Sequence, residues 1–351
     1  MIGNILRRQF IGLTAGAMAA VLMGTSAYAA DKPETDSLSI SIGPDLPFLV
    51  HIVAKEKGWF ADAGFKSVEF KQFTSGNLAG EALLADQIQL WTPGNLPPVA
   101  MVHNGVPVVI LGSNAVSHGL EKLVVRKDAK VEKPEDLYKI KIGLLVSSTS
   151  GAMLGNIAKK YGLDPSRLQA VNLAPPEGLA ALKNNEVQGV IYWEPFPYQA
   201  LQNPDMELLH TGTKSYFPQN KGEDAQISNN RTVWVASQDW VRKNPIATKA
   251  LVGVLLKAQA WVSDPAHQQE ALKIFSDYEK QPIEMNKAII SNYTFNPKFD
   301  QAYVDDMKAI EAFLKSTNRI PSEGDPLDYS YSEPMKSIDP SLVEIDGKWK
   351  P

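Results

Sequence analysis

Hydrophobic positions in this chain switch repeatedly between a period of two and a period near 3.6 from residue 37 onwards. Leu38, Ile40 and Ile42 alternate with serines and predict a strand over 37–42; the run from Pro47 to Phe60 predicts a helix that ends at Gly58. Further strands are expected at 66–73, 87–91 and 106–111, with helices at 78–85 and 97–104, the latter closed by Gly105. The pattern then starts afresh. Strands at 122–126, 141–145, 168–173 and 189–193 alternate with a helical turn at 134–138 and helices at 151–161 and 176–183. Such alternation is the mark of an α/β chain whose helices cross over sheets. Residues 211–230, rich in Gly, Lys and Asn, read as a loop leading back to a strand at 231–236. The chain beyond that strand is helical: 245–263, 268–278, 283–293 and 301–314, with Leu251, Val254, Leu255, Ala258 and Val262 marking one buried face of the first. From Pro321 onwards Pro, Ser, Asp and Gly predict an extended tail packing on the surface.

Two rounds of the same pattern fit either two sequential domains or two lobes joined by crossing strands; a helical third without its own set of strands favours two α/β lobes with a hinge and a cleft. Lobe one is expected to take residues 37–125 plus 231–320, lobe two residues 126–230, and the tail 321–351. With no cysteine in 351 residues there is no disulfide, thiolate metal site or cysteine nucleophile, so stability must come from buried cores.

Residues 1–29 read as an export signal of twin-arginine or Sec type, with Arg7-Arg8 before Gln9-Phe10-Ile11, an apolar run to Met23, and Ala27-Tyr28-Ala29 at a cleavage site. They predict a periplasmic protein. The apolar run is shorter than the ~20 residues that span a bilayer. Removing the signal takes the net charge from −4 to about −6, which argues against nucleic acid and anionic lipid as partners. It does not forbid a small anion held by local dipoles.

Three loops before helix starts could supply those dipoles: 43–47 with Asp45, Leu46 and Pro47, 93–97 with Gly94 and Asn95, and 147–151 with Ser147, Ser148, Thr149 and Ser150. Unpaired N–H groups of helix first turns, joined by hydroxyls, bind an oxyanion without a fixed charge. The serine and threonine run also suits plain capping, and Asp45 either caps the first helix or meets an amine on the ligand. Trp91 and Trp193 are apolar walls or core. Glu194 pairs with a ligand amine if it points inward and is a solvated acid or a hinge contact if outward. Asn230 and Arg231 lie where the chain recrosses the hinge, and Arg231 could grip a sulfonate bidentately. Catalytic signatures are absent: the five histidines are scattered, and neither Gly-x-Ser-x-Gly nor Gly-x-x-x-x-Gly-Lys occurs.

Four segments carry a family resemblance: Val53-Ala-Lys-Glu-Lys-Gly-Trp-Phe60 with Gly64, Trp91-Thr-Pro-Gly-Asn-Leu-Pro-Pro98 before Gly105, Ser147-Ser-Thr-Ser-Gly151 with Tyr161-Gly-Leu-Asp-Pro165, and Gly189-Val-Ile-Tyr-Trp-Glu-Pro195. In order and spacing they resemble the substrate-binding proteins of ABC importers for nitrate, sulfonate and taurine, a branch of the type II periplasmic binding proteins. The resemblance implies a non-enzymatic monomer without cofactor or metal. It would capture a small organic anion, an alkanesulfonate or taurine-like sulfonate, and deliver it to a permease with a cytoplasmic ATPase. Nitrate, an aromatic carboxylate or a pyrimidine are the alternative ligands, and a pyrimidine synthase of thiamine biosynthesis is the enzyme sharing the fold. Gln89 and Gln188 stand where the family usually has aspartate.

Overall fold

The structure, a computed structural model, describes residues 32–225, 227 and 229–351; the export signal expected at 1–29 lies outside the described residues. The strands are β1 (Ser37–Ile42), β2 (Ser67–Gln72), β3 (Val108–His118), β4 (Lys122–Arg126), β5 (Lys141–Leu144), β6 (Gln169–Asn172), β7 (Gly189–Tyr192), β8 (Met206–Thr211), β9 (Asn229–Ser237) and β10 (Tyr293–Thr294). The principal helices are α1 (Leu49–Glu56), α2 (Gly76–Leu84), α3 (Leu96–His103), α4 (Thr149–Lys160), α5 (Pro175–Lys183), α6 (Phe196–Leu201), α7 (Pro245–Ser263), α8 (Gln268–Glu279), α9 (Gln301–Ser316) and α10 (Glu333–Ile338).

In the second lobe the strand order is β6-β5-β7-β4-β8, with β5 parallel to both neighbours and β4 antiparallel to both of its own. Leu123 and Val125 of β4 meet Met153 and Ile157 of α4, while Val124 between them meets Ala181 and Leu182 of α5 and Phe196 of α6. Alternate side chains face opposite sides of a strand. With both sides covered, β4 reads as an unbroken apolar run.

The first lobe is stitched together by residues 89–93. Gln89 N donates to Ser39 O (2.8 Å) and Ser41 N to Leu90 O (2.9 Å) on one side, while Trp91 and Val235 exchange both backbone bonds (2.9 and 2.8 Å) on the other. This joins the parallel β1-β2 pair to the antiparallel β10-β3-β9 sheet. The chain enters the second lobe from β3 and returns through β9, and these two strands pair from Val108↔Ser237 to His118↔Asn229. α7 is long and apolar enough to cross a membrane by length and composition. Its Leu251, Leu255 and Ala258 are fully buried in the first-lobe core, which accounts for that apolarity.

Several elements differ from expectation for identifiable reasons. β3 runs to His118 instead of stopping at 111, because the polar residues of its second half are satisfied internally: Ser113 by Arg231, Asn114 by Pro47 O and Trp234, Ser117 by Asn230 O. A strand that hides its polar side chains in this way lacks alternation. The expected lobe boundary at 125/126 falls inside β4, whose partners are β7 and β8. β8 occupies 206–211 at the sheet edge, where no strand was expected. The helix expected to 293 ends its α-helical part at Ile289, since Tyr293 pairs with Ser117 in β10. The C-terminal segment is not simply extended: it forms α10, and Ser330 and Met335 are fully buried in the first lobe. Its anchor is Glu311 of α9, which accepts from Tyr329 Oη (2.8 Å) and Gly324 N (3.0 Å) and meets His103 Nε2 at 2.9 Å.

The two glutamines that depart from the family pattern do the same job in the two lobes. Gln89 Oε1 accepts from Ser39 N (2.8 Å) and Gln188 Oε1 from Lys141 N (3.1 Å), each tying a strand start to its neighbour.

Candidate ligand cleft

The C-terminal end of β1 and the turns after it, the segment 73–77, the turn 91–94 and the 145–149 loop converge on one cavity. Its volume is ≈ 70 Å³. Phe48, Phe73, Trp91 and Trp193 give it apolar walls.

Seven of the expected site residues line this cavity: Asp45, Trp91, Gly94, Ser148, Thr149, Trp193 and Asn230. Asp45 does not cap the helical turn that succeeds it. Burial pushes its carboxyl up to about 7 against its own backbone hydrogen bond, and the charge of Glu279 adds to the rise. Ser148 is the N-cap of α4, its Oγ accepting from Ser150 N (3.2 Å) and donating to Leu145 O (2.8 Å). Thr149 Oγ1 donates to Glu121 (2.6 Å), and Asn230 Nδ2 donates to the same carboxylate (2.7 Å). A Cβ at Gly94 would stand 2.9 Å from Asn230 Oδ1, so a larger residue there would have to displace the Asn230 amide.

The other seven lie off the cavity. Leu46 and Pro47 are buried in the core beneath the loop, where Pro47 O accepts from Asn114 Nδ2 (2.9 Å). Asn95 and Ser150 are fully buried, and neither side chain has a partner. Ser147 accepts from Asn77 Nδ2, a bond between the two lobes. Two readings of Glu194 are corrected: it is neither a ligand contact nor a solvated acid but buried, taken by Lys122 Nζ and Tyr198 N. Arg231 is likewise excluded from a ligand grip, because alternation along β9 turns it away from Asn230 and Thr232. It is 1% exposed, bound to Asp306 by Nε (2.9 Å) and Nη2 (2.7 Å) and to Ser113 by Nη1 (2.8 Å), with its guanidinium near the Tyr303 ring.

Sequence reasoning misses 74–77, Thr-Ser-Gly-Asn, which precedes α2 as the serine run precedes α4. That parallel was the available signal. Ser75 makes no side-chain cap, so the first-turn N–H groups of α2 remain for the cavity. It also misses Glu121. His51, on α1, is held neutral by burial with a pKa of about 3 and meets Thr92 Oγ1 at 3.0 Å. Among the described residues no cluster could hold a metal ion, and no Lys, Arg or His lines the cavity.

The chain resembles known proteins along much of its length. It is 27% identical to the taurine-binding periplasmic protein of Escherichia coli over 61% of this chain and 63% of that one. It is 26% identical to a nitrate/nitrite binding protein of Nostoc over 74% of this chain and 61% of that one, so both matches span less than two thirds of the relative. The alkanesulfonate-binding protein SsuA of Xanthomonas axonopodis, solved with MOPS bound, superposes with a TM-score of 0.70 at 14% identity, covering 85% of this chain and 99% of that one. The architecture is the two-lobed periplasmic-binding-protein fold. The NMT1/THI5-like family model matches residues 47–271, well over half of the sequence, and the chain belongs to that family.

Proposed function

We propose that this protein is the periplasmic solute-binding component of an ABC importer, that it captures a small organic sulfonate, and that it hands the solute to a membrane permease driven by a cytoplasmic ATPase. The observation that carries the ligand class is a set of neutral donors around a cavity with no basic side chain: the uncapped first turn of α2 and Trp91 Nε1, which is buried without a partner. A sulfonate stays ionised at any physiological pH and carries three acceptor oxygens. Peptide N–H groups and an indole N–H satisfy them without the strong charge pairing that would oppose release. The aromatic walls favour an anion with an apolar stem over bare nitrate.

The taurine, nitrate and alkanesulfonate relatives are named as binding proteins, which supports capture without turnover over the synthase reading. Closure of two lobes around a solute requires contacts made only in the closed arrangement; the Asn77–Ser147 bond, which joins the lobes, is the candidate for such a contact. Titration calorimetry of ligand-stripped protein against taurine, alkanesulfonates, the matching carboxylates and nitrate tests the reading. Saturable one-to-one heat confined to sulfonates is expected; heat from carboxylates or nitrate alone rejects the ligand class.

A further inference from the structure

The cavity is electrically lopsided. Its anion-binding groups are neutral donors, yet its one ionisable lining side chain is an acid, Asp45, and no cation offsets it from the lining. Asn230, which lines the same cavity, is 5% exposed and spends both amide protons on Glu121 and Thr149 Oγ1 (3.2 Å), which leaves its Oδ1 without a partner. A buried acceptor of this kind calls for a donor. Asp45, Glu194 and Glu121 all lie near enough to Tyr293 for their negative charges to add to the effect of burial and raise its phenol well above the usual range. Glu194 already has Lys122.

We propose that the cleft selects solutes carrying a protonated amine a short stem away from the anionic group, and that Asp45 is the specificity residue that receives the ammonium, with Asn230 Oδ1 as a second acceptor. This rests on the solute-binding function proposed for the same cleft. A plain anion would enter with an acid facing it and an amide oxygen left dry. A zwitterion satisfies both ends, and its zero net charge lowers the cost of entering an acidic cleft. Of the two amine contacts that the sequence offered, Asp45 and Glu194, the assignment keeps the one in the loop before α1, since Glu194 is taken by Lys122.

The test uses two isosteric pairs that exchange NH3+ for CH3: taurine against propane-1-sulfonate, and β-alanine against butyrate, titrated into wild type, Asp45→Asn and Asp45→Glu. Wild type is expected to prefer the amine-bearing member of a pair by at least about tenfold. Asp45→Asn should collapse that ratio to near one by weakening the amine ligand, and Asp45→Glu should retain part of it. Melting curves establish that each variant is folded. If Asp45→Asn fails to fold, the wild-type ratio decides alone. Equal binding within the pairs, a ratio unchanged in folded Asp45→Asn, or no binding of any of the four overturns the inference. Preference for β-alanine over butyrate with both sulfonates silent rejects the sulfonate class and upholds the Asp45 assignment.

Discussion

The two walls of the cleft are built from the same kind of turn and use it in opposite ways. On the first-lobe wall Asp45 and Ser75 both precede helical segments, and neither caps with its side chain. On the second-lobe wall the equivalent groups are committed: Ser148 caps α4, Thr149 is bound to Glu121, and Ser147 is held by Asn77. The first wall keeps its helix-end donors and its one ionisable group for a solute. The second is a prebuilt face that closes against it. A residue type favoured at N-caps is thus a poor guide to function until the cap itself is seen to be filled or empty.

The sharpest separation of structure from binding is at the hinge. Arg231→Met leaves the half-buried Asp306 without its partner and Ser113 without its donor, and should cost about 2–3 kcal/mol of stability, read by denaturant unfolding, with binding per folded molecule unchanged. A large loss of affinity in the folded fraction would return Arg231 to the ligand.

Next in size is the pH response of the first wall. Folding and burial keep the free Asp45 carboxyl protonated up to about 7, with Glu279 and Tyr293 beside it and Glu279 adding to the rise. An ammonium ligand favours the carboxylate, so below that pH binding must expel a proton. Affinity for taurine should fall roughly tenfold per unit between pH 6 and 5. Calorimetry in buffers of different ionisation enthalpy reads the released proton directly; a pH-independent affinity in this window would break the link. The same shift carries a stability sign. Asp45 ionises in the unfolded chain near its ordinary value and in the folded chain near 7, so it costs stability as pH rises from about 4 to about 7. His51 and His210 work the other way. Held neutral to about 3 and about 4, they cost stability as pH falls below their ordinary value near 6.5. Asp45→Asn removes only the first slope, so its ligand-free melting profile should fall more steeply towards acid than that of wild type.

Smaller effects test the comparison serine against serine. Ser148→Ala removes a filled cap and should lower stability by about 1 kcal/mol. Ser75→Ala removes an empty one and should stay within about 0.5 kcal/mol, with any effect confined to affinity. Equal thermal losses would erase the distinction between the walls. Least of all, Asn77→Ala and Ser147→Ala should each weaken binding by a few fold and show a coupling of about 0.5–1.5 kcal/mol in a double-mutant cycle on affinity, since each breaks the same interlobe bond.

Much of the architecture was legible because it rests on local periodicity. β1, β4, β5 and β7 and helices α4 and α7 fall where alternation and helical spacing put them, and the loops around 45, 94 and 148 meet at one cavity. The second half of β3 and all of β8 were not legible, since pairing across the fold overrides a polar or mixed local pattern. Direction was the other hidden quantity. Asn230 and Arg231 are neighbours in a hinge strand, and one lines the cleft while the other is sealed behind it. Glu194 reads as a plausible ligand contact until Lys122, remote in sequence, is seen to take it.

Composition and periodicity alone therefore determine that this is a cysteine-free α/β chain of two repeated βα rounds with turn-formers at its helix starts, because those properties are set by each residue and its near neighbours. Only the tertiary structure decides which helix ends stay uncapped, which acid is neutralised by a distant lysine and which faces the cavity, because hydrogen bonding and burial are properties of pairs that the chain brings together from far apart.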